Sequence, residues 1–217
     1  MRWLSLALLG AAVFLYGRAA DWPLLSLASK GLPMLALLCW LRSAAPGVYR
    51  RWIGIGLLCS LAGDLLLDWP GDLFVFGLGA FLLAHLAYLR AYLSDCRRPA
   101  YALLLLATGI GGGMFAVLAS GGLGPLLIPV LLYTLAISAM LWRALARVAS
   151  AGLDAHSSGL AAGGAALFVL SDSLIGINRF VAPFAAAPYA IILSYWLGQW
   201  AIAASARQRQ SNHTTVS

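Results

Sequence analysis

The chain has 217 residues, 62% of them hydrophobic and only 10% charged, with a mean hydropathy of +0.89 and a net charge of +7. That leaves too little charge to cover a water-soluble domain. The basic residues are spread through connections without interleaved aromatics, which argues against a nucleic-acid surface.

Apolar segments long enough to cross roughly 30 Å of hydrocarbon recur from end to end, and the sequence predicts eight of them. The first, Trp3–Ala19, follows Arg2. A cleavage site near Ala20 would set Arg18 at a disfavoured position just before it, so the segment reads as a retained span. The second, Leu24–Leu41, contains Lys30. The third, Trp52–Leu67, carries Asp64, and Asp68 follows one turn later on the same face. Asp68 and Asp72 flank Trp69-Pro70-Gly71, which also suits a solvated turn with an interfacial tryptophan. The fourth, Leu73–Tyr92, places His85, Tyr88 and Tyr92 at helical spacing. The fifth, Tyr101–Ala119, is bracketed by Gly111-Gly112-Gly113 and Gly121-Gly122, residues suited to close helix approach or a tight turn. The sixth, Leu126–Ala144, carries Tyr133 and Thr134, and the seventh, Gly159–Gly176, carries Asp172 with Asn178 just beyond it. The eighth, Phe184–Ala204, puts Tyr195 and Gln199 on one face.

The expected fold is therefore an all-α transmembrane bundle of eight helices over residues 1–206, followed by a disordered cytoplasmic tail, 207–217. Arg42, Arg50, Arg51, Arg90, Arg97, Arg98, Arg143, Arg147, Arg207 and Arg209 fall at even-numbered connections or the C-terminus. By the positive-inside rule both termini face the cytoplasm, and a bacterial inner membrane is the expected location. Cys39, Cys59 and Cys96 imply no disulfide framework. A faint duplication pairs Leu32-Pro33-Met34-Leu35 with Ile128-Pro129-Val130-Leu131, and Gly63-Asp64-Leu65 with Ser171-Asp172-Ser173. Such a four-plus-four parallel repeat would set a site at the interface between halves.

Lys30, Asp64, Asp68 and Asp172 carry the functional argument, because one such group at mid-bilayer costs roughly 2.5–3.5 kcal/mol. One lysine cannot neutralise several aspartates, so a carboxylate is left to carry and release a proton, with His85 as a nearby acceptor. A zinc site would need three or four ligands, whereas His156 and His213 fall in a loop and the tail; no metal or cofactor is expected. The same groups would also serve a proton-coupled lipid or small-molecule transporter, the rival reading.

The ordered set Lys30-Gly31-Leu32-Pro33-Met34, Gly63-Asp64, His85 with Tyr88, Pro129 with Tyr133, Met140, Ala144, Phe168 with Ser171-Asp172-Ser173, and Tyr195 with Gln199 resembles the YhhN family of membrane proteins, which includes the lysoplasmalogenases. The chain departs from the family pattern at Lys30-Gly31, where that pattern has Lys-Pro, and in its second aromatic at Tyr195-Trp196. Neither departure removes an ionisable group. The resemblance implies a lysophospholipid substrate among the membrane lipids. The reaction implied is hydrolysis of the vinyl ether bond of lysoplasmalogen to a fatty aldehyde and glycerophosphocholine or glycerophosphoethanolamine. That reaction needs an acid, a nearby anion and water, so Asp64 and Asp172 are expected to form an acid/base couple in one enclosed chamber. Lys30 would hold one carboxylate ionised or meet the head-group phosphate, and His85 would shuttle the proton. Tyr195 and Gln199 would orient substrate oxygens, with Tyr133, Asp68 and Asn178 completing the substrate-binding set. Oligomeric state is left open.

Overall fold

A computed structural model describes residues 2–208, and among them the chain is entirely helical, without strands. The helices are α1 (Arg2–Ala19), α2 (Pro23–Lys30), α3 (Leu32–Leu41), α4 (Val48–Leu67), α5 (Phe74–Asp95), α6 (Tyr101–Ser120), α7 (Leu127–Val148), α8 (Ala155–Gly176) and α9 (Ala187–Gln208). A 3₁₀ turn, Gly124–Leu126, leads into α7, and a π-helical turn, Ile177–Val181, follows α8.

Five stretches are long and apolar enough to cross a membrane: Pro23–Leu41, Phe74–Asp95, Tyr101–Ser120, Gly124–Val148 and Ala155–Val181. With five such stretches this is a multi-pass membrane protein. Helices α1, α4 and α9 are of similar length but more polar, carrying Arg2 and Arg18, then Arg50, Arg51 and Asp64, then Ser194, Tyr195 and Gln199.

Local chemistry explains where the helices begin and break. The segment expected as one span over Leu24–Leu41 is two helices, because Pro33 has no N–H to continue the ladder of α2 and the rod restarts after Gly31. Lys30 stands at that break. Helix α8 starts four residues before the expected Gly159 because the Asp154 carboxylate accepts the Ser157 N–H at 2.6 Å, satisfying one of the first-turn donors. Helix α9 runs to Gln208, so Arg207 is helical, and 209–217 of the expected tail lies outside the described residues.

The most extensive packing is α4 on α5 and α8 on α9; α7 lies between α5, α6 and α8. At the α8–α9 crossing the backbones nearly touch, since a Cβ on Gly164 would lie 2.8 Å from the Gly198 carbonyl oxygen. Between α4 and α5, Gly56 admits the Tyr88 ring, and a Cβ on Gly63 would lie 2.6 Å from the Phe81 ring. The glycine runs around α6 divide: Gly111 faces Ser138 and Gly121 faces the Phe180 carbonyl, whereas Gly112 and Gly113 face open space.

Arg143 and Arg147, expected in a connection, lie inside α7 and are buried. The expected boundary at Ala144 was too early because both guanidinium groups are paid for internally. Arg143 donates to the carbonyls of Cys96 and Arg98, closing the end of α5. Arg147 donates to Asp95 through Nε at 3.0 Å and Nη2 at 2.8 Å, to the Tyr49 hydroxyl at 2.8 Å and to Ser157 at 3.1 Å, tying α4, α5, α7 and α8 together. Removing one partner of such a buried pair strands the other charge, so Arg147→Ala is expected to cost about 3–5 kcal/mol. Thermal unfolding in detergent reads this directly; an unchanged midpoint would refute the structural role.

Candidate functional site

Three helices bring Asp172 (α8), Tyr133 (α7) and His85 (α5) together. The Tyr133 hydroxyl donates to Asp172 Oδ2 at 2.5 Å, and His85 Nε2 lies 3.1 Å from the same oxygen and 2.8 Å from the Tyr133 oxygen. His85 is fully buried, and Phe168, one turn before Asp172, sets its edge against the imidazole with centroids 4.7 Å apart. The other imidazole nitrogen, Nδ1, has no hydrogen-bond partner among the described residues. A histidine held at one nitrogen by a carboxylate and a phenol is suited to passing a proton.

Asp64 belongs to a second network. Its Oδ2 accepts the Tyr195 hydroxyl of α9 at 2.7 Å, and the residue is 3% exposed. The charges of Lys30, Asp68 and Asp172 all act on it. Lys30 itself pairs with Asp68 at 2.9 Å. The carboxylate beside Lys30 is thus that of Asp68, because the break in α2–α3 sets the lysine beside the last turn of α4. Asp68 correspondingly does more than cap a solvated turn. Gln199 is engaged separately, its Oε1 accepting the Tyr88 hydroxyl at 2.7 Å.

An aromatic layer joins the two networks, since Phe168 meets both Tyr195, the partner of Asp64, and His85, the partner of Asp172. The Phe81 ring meets Phe168 and Tyr195 edge-on at 6.0 and 5.9 Å, and Phe168 meets Tyr195 at 5.5 Å. On the Asp172 side of this layer, α5, α6, α7 and α8 line a narrow groove that is open along one flank. It runs from Ala107 and Leu141 at one end to Phe74 and Phe180 at the other. Asp172 and Tyr133 stand on its wall, with Thr134, Ser138 and Ser173 as its other side-chain hydroxyl or carboxyl groups; the rest is hydrocarbon, aromatic ring or glycine.

Asp64, Lys30, Asp68, His85, Tyr195, Gln199 and Asn178 do not line this groove. The expectation of one chamber lined by both Asp64 and Asp172 therefore differs from the structure: Asp172 and Phe81, which is seated where Gly63 lacks a side chain, line the groove, and Asp64 does not. Asn178 accepts the Phe184 N–H at 3.2 Å and holds the connection between α8 and α9. Phe81 escaped sequence reasoning, and Phe168 entered it only through the family resemblance, because a phenylalanine in an apolar run carries no signal by composition. Spacing held one: each lies four residues before an ionisable group, His85 and Asp172, on the same helix face. Among the described residues no three His, Cys, Asp or Glu side chains gather closely enough to hold a metal ion.

A family model described as the YhhN family matches residues 25–206. The chain is 35% identical over 181 residues to the lysoplasmalogenase TMEM86B of Sus scrofa, covering 82% of this chain and 74% of that protein. It is 36% identical over 179 residues to the lysoplasmalogenase TMEM86B of Homo sapiens, covering 82% and 73%. A lysoplasmalogenase of Mycobacterium tuberculosis is 39% identical over 143 residues, covering 62% of this chain and 52% of that one. No solved structure matches the chain.

Proposed function

Because the chain belongs to the YhhN family, we propose that it is a lysoplasmalogenase, an intramembrane hydrolase that cleaves the vinyl ether bond of lysoplasmalogen. The observation that carries the chemistry is the Asp172 carboxyl group, gripped by Tyr133 and His85 on the wall of an apolar groove. A groove with this apolar lining and an open flank suits an alkenyl chain.

In this reading the chain lies along Ile110, Ile137 and Leu141, with its vinyl ether beside Asp172. Protonated Asp172 gives its proton to the alkene carbon distal to oxygen, and the ether oxygen shares the resulting positive charge as an oxocarbenium ion. Water adds to the carbon next to oxygen and passes a proton to the Asp172 carboxylate, leaving a hemiacetal. Collapse of the hemiacetal breaks the carbon–oxygen bond, giving the aldehyde and the glycerol hydroxyl. His85 receives and returns the proton across its contact with Asp172, and Tyr133 orients the carboxyl group. Asp64, fixed by Tyr195 behind the aromatic layer, supplies negative charge that favours the cation, and the Lys30–Asp68 pair completes its electrostatic surroundings.

The topology proposed with this function is eight crossings, counting α2 and α3 as one, with both termini cytoplasmic and residues 1–206 forming one bundle. It is supported by the gathering of Arg42, Arg50, Arg51, Arg90, Arg97, Arg98, Arg143 and Arg147 toward one end of the bundle. Asp172 then lies in the outer half.

The test is mass spectrometry of lysoplasmalogen incubated with the purified full chain in detergent. Stoichiometric fatty aldehyde and glycerophospho-base are expected. Intact lipid, with uptake into sealed vesicles that follows a pH gradient, would overturn the hydrolase in favour of a transporter.

A further inference from the structure

Resting on the hydrolase reading above, we propose that the exposed Arg179–Asp72 pair is the head-group subsite. Arg179 takes the phosphate, and Asp72 takes the ammonium of a zwitterionic lysophospholipid whose chain occupies the groove.

The pair stands at the rim. The Arg179 guanidinium lies over the Phe74 ring, 3.8 Å from its centroid, and Phe74 meets Phe180 edge-on at 5.8 Å. Both phenylalanines line the end of the groove. Arg179 follows Asp172 by seven residues, almost two helical turns, which returns it toward the same face about 10 Å farther along. In the substrate, six bonds separate the reacting vinyl ether carbon from the phosphorus, a reach of about 7 Å in extended form. The remaining distance falls within the length of an arginine side chain.

The charges match as well. Among the described residues Asp172 is the only charged one on the groove wall, so none of them inside pairs with both a phosphate and an ammonium group. Arg179 Nη2 lies 3.2 and 3.3 Å from the two Asp72 oxygens, with the side chains 39% and 72% exposed. An exposed pair of this kind adds little to stability, leaving both charges available to a ligand of opposite polarity. A guanidinium fork suits phosphate, and its stacking on Phe74 keeps it aimed along the rim. Other cations at this end of the bundle are placed elsewhere: Lys30 is committed to Asp68, and Arg18 ends α1, which packs on α2 and α3. The backbone presets the pair from both sides. Arg179 rides on the π-helical turn, a feature that often marks functional positions, and Asp72 adopts the left-handed conformation at φ +48°.

The experiment measures binding of the full chain in detergent to two probes that cannot be hydrolysed: a saturated alkyl-ether lysophosphocholine and the matching alkylglycerol without a head group. Wild type is expected to bind the lysophosphocholine at least about tenfold more tightly, an advantage lost in Arg179→Gln and partly kept in Arg179→Lys. Asp72→Asn should weaken the lysophosphocholine but not an alkylglycerol phosphate, which lacks the ammonium. Alkylglycerol affinity should be the same in all four proteins, reporting an intact groove. The subsite is overturned if Arg179→Gln keeps the head-group preference, or if it weakens both probes equally. Failure of the hydrolase reading shows itself separately, as wild type that binds these lipids but releases no aldehyde from lysoplasmalogen.

Discussion

Asp172→Asn is expected to lower kcat for vinyl ether hydrolysis by about 10²–10⁴-fold, the usual loss when one positioned acid or base is removed. Asparagine is nearly the same shape and its oxygen can still accept the Tyr133 hydroxyl, so the variant should insert and unfold like wild type. It should also keep KM close to the original value, because the rest of the groove lining, mostly apolar, is unchanged. Tyr133→Phe removes only the orienting hydroxyl, so its loss should be smaller than that of Asp172→Asn. Aldehyde release from a purified lysophospholipid, followed through a coupled aldehyde dehydrogenase, gives both constants. Wild-type kcat in Asp172→Asn would remove Asp172 from the chemistry.

The rods were legible in the sequence because lipid demands long apolar runs, and each expected segment has a helical counterpart. Their ends were less legible. Asp154 and Pro33 act through single backbone hydrogen bonds, one made and one missing, which hydropathy does not register. Arg143 and Arg147 misled for a related reason: an arginine near a helix end resembles a loop residue unless its internal partners are known. The Arg147 partners lie far off in sequence, at Tyr49, Asp95 and Ser157.

At the site, intramembrane cost singled out Lys30, Asp64, Asp68 and Asp172 without any structure, with His85 as a nearby acceptor, since ionisable groups inside apolar helices are expensive. Their grouping was not readable. Lys30 finds Asp68, and Asp172 finds His85 and Tyr133, because helix order in the bundle, not spacing along the chain, decides which depths become neighbours. The aromatic layer formed by Phe81 and Phe168 is a product of packing alone. In the proposed mechanism it allows one carboxylate to touch a lipid in the groove while the other acts through space.

That division predicts unequal effects for the two aspartates. Asp64 supplies charge without contact, and a unit charge about 7 Å away, the thickness of one aromatic layer, contributes about 2 kcal/mol at an effective dielectric of about 20. Asp64→Asn is therefore expected to lower kcat by about 30-fold, less than Asp172→Asn, with KM unchanged. Tyr195→Phe leaves the carboxylate in place but removes the hydroxyl that fixes it, so its loss should be smaller still. A merely structural Asp64 predicts a different pattern: Asp64→Asn would lower the unfolding temperature while the folded fraction turned over at the wild-type rate. Steady-state kinetics normalised to folded protein, set beside thermal unfolding of Asp64→Asn and Tyr195→Phe, separates the two. A normal kcat in folded Asp64→Asn would confine the chemistry to the Asp172 side of the aromatic layer.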